Sequence, residues 1–252
     1  MRASVATINI VVGSVYSALG VLILIDLKLG WHLFGFSRFG GGLAAVAFTC
    51  GAHHLAHGHH VAFEGHDGGA LDLVSVLVGL PFGLTWLWLR LEALAGGVGD
   101  RIIRGSPWWV LAMPTVAAVY VTALAAAGVV VARGPLEFSI ALIPHLLLTA
   151  IYLRIGWMLL RTQLLFHSES GGWSLSGCTM SALFCTCSVM HAVLVLYGVA
   201  GRQVLDGHEF LIAVLGVPAG LYFLSVVRNL VRDEISDWNV VPDREPHEPQ
   251  PA

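Results

Sequence analysis

Charge is what this sequence has least of. Of its 252 residues only 12% are Asp, Glu, Lys or Arg, about half the share of a soluble domain. Lys28 is the only lysine. That scarcity excludes a solvated globular surface and the polybasic patches through which proteins hold nucleic acid. With no lysine in any later segment, a retinal Schiff base on a late helix is excluded as well. Cysteine is sparse: Cys50, Cys178, Cys185 and Cys187 all fall in apolar runs. Their spacing matches no disulfide framework, zinc finger or thioredoxin motif. Cys178 and Cys185 read as packing residues, and Cys187 as a weak ligand candidate. No A-x-A site follows the first apolar run and only Arg2 precedes it, so that run reads as a membrane helix rather than a cleavable signal.

Apolar length takes the place of charge. Hydrophobic residues make up 56% of the chain, and mean hydropathy is +0.78. They form seven runs, at 6–27, 41–62, 70–91, 108–132, 137–160, 176–200 and 209–231, each near the roughly 20 residues that cross a bilayer. The expected fold is an all-α integral membrane protein, a seven-transmembrane-helix bundle over residues 1–231. Residues 232–252 are charged and proline-rich, and read as a disordered cytoplasmic tail. Pro81, Pro114, Pro144 and Pro218 fall inside the runs and are expected to kink them. Trp86 and Trp88 read as interfacial anchors beside Arg90 and Glu92.

Basic residues orient such a bundle. With the N-terminus outside, the outer segments hold only Arg2, Arg133 and Arg202, and the other ten of the 13 basic residues fall inside. The expectation is a multi-pass protein of the cell membrane, N-terminus outside and C-terminus in the cytoplasm. Nine of its 12 histidines then lie on the outer side.

Six of those nine sit in one stretch, "CGAHHLAHGHHVAFEGHD", residues 50–67. At 100° per residue, His53, His57 and His60 share one sector, flanked by Cys50 and His54. Such spacing suits metal ligation, because successive turns bring ring nitrogens toward one ion. The fifth run carries a polar stripe of His145, Thr149, Tyr152 and Gly156, and the sixth offers Cys187, Ser188 and His191. At about 1.5 Å per residue, His54, His145 and His191 each lie roughly 12–13 Å below the outer boundary. Asp72 and Ser75 open the third run nearby.

Polar side chains inside a bilayer usually face the bundle interior. The pattern therefore points to a metal site of His53, His57, His60, His145 and His191, or a haem held by two histidines from different helices, drawn from His54, His145 and His191. Imidazole suits Zn, Cu or Fe, and Asp67 and Asp72 are candidates to orient an imidazole. A lone intramembrane histidine such as His145 is otherwise an interhelical hydrogen-bonding residue, while His59 and His66 read as interfacial polar caps. The functions compatible with the pattern are a membrane oxidoreductase acting on a small apolar or lipid substrate, or a metal transporter or sensor. A pH-responsive protein without a cofactor and a zinc-dependent lipid hydrolase also fit. The three-glycine stretch at Gly40 follows no strand, so it reads as helix packing rather than a nucleotide loop.

Overall fold

The computed structural model describes residues 1–64, 69–131, 140–201 and 207–232. His66, Asp67, His247 and nearly all of the charged tail lie outside the described residues. The elements are α1 (Arg2–Phe34), α2 (Arg38–His59) with a π-helical turn (His60–Glu64), α3 (Ala70–Leu94), α4 (Trp108–Leu111) and α5 (Met113–Val131). They continue with α6 (Leu142–Ser170), α7 (Leu175–Val199) and α8 (Gly207–Val231). Two short strands, β1 (Ile102–Ile103) and β2 (Trp173–Ser174), pair antiparallel. Among the described residues six helices are long and apolar enough to cross a membrane: α1, α3, α5, α6, α7 and α8. The 22 residues of α2 carry five glycines and four histidines, which dilute its apolar content.

Neighbour relations close six helices into a ring in the order α1, α2, α8, α6, α7, α3 and back to α1, with α5 packed outside on α7. Side chains fill the ring: Tyr16, Leu19, Cys50, Tyr152, Phe184, Cys187 and Phe223 belong to one buried cluster. Outward faces are apolar, with Leu24, Val74, Leu84, Val119, Leu215 and Leu221 all exposed. That distribution suits a lipid surrounding, since lipid exacts no penalty for exposed aliphatic groups.

Small residues set the rotation of α2. A Cβ on Gly13 would stand 2.8 Å from the Gly51 carbonyl oxygen and 2.9 Å from the Leu55 backbone nitrogen. Similarly, a Cβ on Gly58 would stand 3.1 Å from the Ala6 carbonyl oxygen. Backbones this close are the signature of small-residue helix packing. Ser37 caps α2, its Oγ accepting from the Gly40 amide at 2.8 Å. At the far end the Arg2 guanidinium donates through Nε to the Val61 carbonyl at 2.6 Å, tying the start of α1 to the π turn.

Three details differ from the expectations drawn from sequence. The fourth run is broken at Ala112 into α4 and α5. Pro114 is the second residue of α5 and Pro144 the third of α6, in first turns where a missing N–H costs nothing; only Pro81 and Pro218 lie inside helices. The Ile140 oxygen, four residues before Pro144, accepts from the Ile143 amide. Finally, Trp86 is buried and faces the ring interior. Trp88 alone stays at the surface, with the Arg101 guanidinium 4.5 Å from its ring centre and bonded to Glu92.

A methyl group at Gly13 would meet the Leu55 side chain at 2.7 Å and the α2 backbone at 2.8–2.9 Å. Gly13→Ala is expected to separate α1 from α2 and cost about 1–3 kcal/mol. The check is thermal unfolding in detergent, where the variant melts below wild type.

Candidate metal centre

Six of the ring's helices contribute to one polar column, and α2 forms its spine. Going from the middle of α2 toward its end, the inward residues are Cys50, His53, His57 and His60, all buried.

At the base lie two thiols and two phenols. The Cys50 thiol and the Tyr152 hydroxyl are hydrogen-bonded at 3.2 Å, and Tyr16 Oη meets Cys187 Sγ at 3.7 Å. All four cysteines are free thiols. Cys185 packs on Gly156, where a Cβ would stand 2.5 Å from its sulfur. The close α6–α7 contact is sealed by Ser181 Oγ donating to the Gly156 carbonyl and Ser188 Oγ to the Thr149 carbonyl, both at 2.8 Å. That seal fixes His145 on α6 opposite His191 on α7.

One turn up, three helices deliver three imidazoles. His53 from α2, His145 and His191 are 2%, 0% and 1% exposed. One nitrogen from each lies within 4.8 Å of the other two. The His145 and His191 Nδ1 atoms share a hydrogen bond at 3.0 Å, and ring centres are 5.0–5.3 Å apart. Neither nitrogen of His53, nor Nε2 of His145, has a hydrogen-bond partner. Each such buried atom costs about 1–3 kcal/mol, so three of them on two neighbouring rings demand an explanation. Nitrogens bound tetrahedrally at about 2.0–2.1 Å stand about 3.3 Å apart, so small ring movements would let these three share one ion.

The remaining histidines of the second run have other partners. His54, one residue on from His53, faces α1: its Nδ1 donates to Asn9 Oδ1 at 2.7 Å, and its ring stands edge-on to Tyr16. Asn9 in turn donates through Nδ2 to the Val5 carbonyl at 3.0 Å, which orients its amide. His57 lies between two carboxylates, with Nε2 2.8 Å from Asp72 Oδ2 and Nδ1 3.0 Å from Glu209 Oε1. Both nitrogens can donate together only in the protonated ring, and all three residues are at most 1% exposed. Ser75 Oγ donates to the Asp72 carbonyl at 2.8 Å. His60 lies 3.5 Å from Glu209 and 3.8 Å from Glu64. With His59 and Glu64 it forms a second group whose ligand atoms lie within 4.8 Å of one another.

Of the histidines that the sequence singles out, the structure brings His53, His145 and His191 together and sets His54, His57 and His60 apart. Two buried partners, Asn9 and Glu209, were not anticipated. Each left a signal: Asn9 is the only amide in the first run, and Glu209 the only acid in the seventh.

The His57 clamp holds three ionisable groups buried away from the surface, and removing one partner strands the others. Glu209→Gln keeps the shape and removes one acceptor charge. It is expected to cost about 3–5 kcal/mol, read as a lowered melting temperature in detergent, with Asp72→Asn behaving alike. Unchanged melting in both would contradict the clamp.

No protein-family model matches the chain, and neither curated proteins nor solved structures show a significant match; what the site does is argued from its own chemistry.

Proposed function

We propose that this is a multi-pass membrane protein that binds one transition-metal ion through His53, His145 and His191. The observation that carries the reading is three buried imidazoles, each with a nitrogen within 4.8 Å of the other two, while both nitrogens of His53 and Nε2 of His145 find no protein partner. Three neutral imidazoles suit Zn, Cu or Fe. Three protein ligands also leave a position for water or substrate, unlike a structural zinc site with four. An ion there could activate water or polarise an apolar substrate's single polar group.

The clamp above supports the same reading. Asp72, Glu209 and a protonated His57 together carry one net negative charge. Glu209 also lies within electrostatic reach of His145. A cation at the three imidazoles would sit beside that surplus, which offsets part of the cost of placing it in a low-dielectric interior.

A bare ion fits better than haem. A porphyrin between two of these rings needs them to stand clear on either side of its plane. The ring centres instead lie 5.0–5.3 Å apart, tilted by 46–62°.

On this reading α2 is a seventh crossing, since 22 residues span about 33 Å, and its polar groups are tolerated because the ring encloses them. The excess of basic residues at the opposite end then puts the metal centre in the outer half of the bilayer.

The test is metal content of full-length, detergent-purified protein made without a polyhistidine tag. Wild type and the exposed-site control His32→Ala are expected to carry a stoichiometric ion. His53→Ala, His145→Ala and His191→Ala are each expected to lose it. Folded wild type that stays metal-free after reconstitution with Zn, Cu and Fe would overturn the reading.

A further inference from the structure

The metal centre is sealed: its three rings are at most 2% exposed, so an ion cannot reach them straight from water. The column above them ends at a different kind of group. His59 Nδ1 is 3.5 Å from Glu64 Oε1 and His60 Nε2 is 3.8 Å from the same oxygen. His59 and Glu64 are 58% and 50% exposed, whereas His60 is 6% exposed. This group thus has one side in water and the other in the bundle.

We propose that His59, His60 and Glu64 form a capture site for a divalent transition-metal ion, which then passes by Glu209 to His53, His145 and His191. The proposal rests on the metal reading above. His60 makes the connection, because its two nitrogens face opposite ways: Nε2 toward Glu64 outside, and Nδ1 toward Glu209 Oε1 at 3.5 Å inside. That same Glu209 oxygen meets His57, which stands one turn of α2 from His53. His60 stands seven positions on from His53, about 10 Å along the axis, and Glu209, touching His60 and His57, is the carboxylate that lies between the two levels.

The π turn builds the mouth. It places Glu64 four residues on from His60 and over the same face, and widened turns of this kind recur at functional sites. Arg2 holds the turn through the Val61 and Ala62 carbonyls, which keeps a fixed cation off the Glu64 carboxylate. Two imidazoles and one carboxylate, half in water, form a ligand set that binds without enclosing, as a transfer station requires. A carboxylate at the mouth of a low-dielectric path also raises the local cation concentration. An ordinary surface ion pair would share the distances but have no effect on loading.

The experiment is stopped-flow loading of metal-free, full-length protein with Co2+, followed by the visible absorption of four-coordinate Co2+. Wild type is compared with a His59→Ala/Glu64→Gln variant, both substitutions at exposed positions. The expected result is the same final absorption in both, reached about tenfold more slowly in the variant at low Co2+. Equal rates would overturn the route while leaving the buried centre standing. A lower final absorption in the variant would also overturn it, because the mouth would then belong to the final ligand set. Wild type that takes up no Co2+ at all would overturn the metal reading and the route together.

Discussion

Six helices closed into a ring leave an interior that side chains must fill, and every polar atom placed there has to find a partner away from water. The rest of the structure follows from how this chain meets that demand. Below the histidines the demand is met by hydrogen bonds between thiols and phenols, and by hydroxyls on α7 donating to α6 carbonyls. Above them it is met by charge, with His57 between Asp72 and Glu209. Between the two, at both nitrogens of His53 and at Nε2 of His145, protein groups do not meet it. Unpartnered buried atoms occur elsewhere too, at Asp72 Oδ1 and Trp86 Nε1, but among the described residues this level alone brings three buried imidazoles from three helices close enough to share an ion.

Rigidity at that level comes from glycine and serine rather than from the histidines. Gly13, Gly51 and Gly58 bring α1 and α2 into backbone contact, so α2 has little freedom to rotate. Gly156 and Ser181 do the same between α6 and α7. Two tightly joined helix pairs thus face each other across the interior, one presenting His53 and the other His145 and His191. Ligands carried on packed helices hold their positions better than ligands on loops.

Much of this could be read from the residues alone, and the limits have physical causes. Apolar length and low charge are enough for a helical membrane bundle, and counting along the second, fifth and sixth runs is enough to put imidazoles at one depth. Choosing between His53 and His54 is not possible that way. Adjacent residues differ by 100° in direction, and the rotation of α2 depends on which glycines meet α1. The split of the polar column into a centre, a clamp and a mouth was equally out of reach, because its divider, Glu209, comes from a helix 150 residues later. The π turn and the break at Ala112 depend on local packing that no periodicity announces.

The most direct measurement is X-ray absorption at the edge of the ion that the purified full-length protein carries. The account predicts three imidazole nitrogens at about 2.0–2.1 Å with one further light ligand, and no sulfur. Sulfur scattering near 2.3 Å would move the ion down to Cys50 and Cys187 and contradict a centre built on His53, His145 and His191.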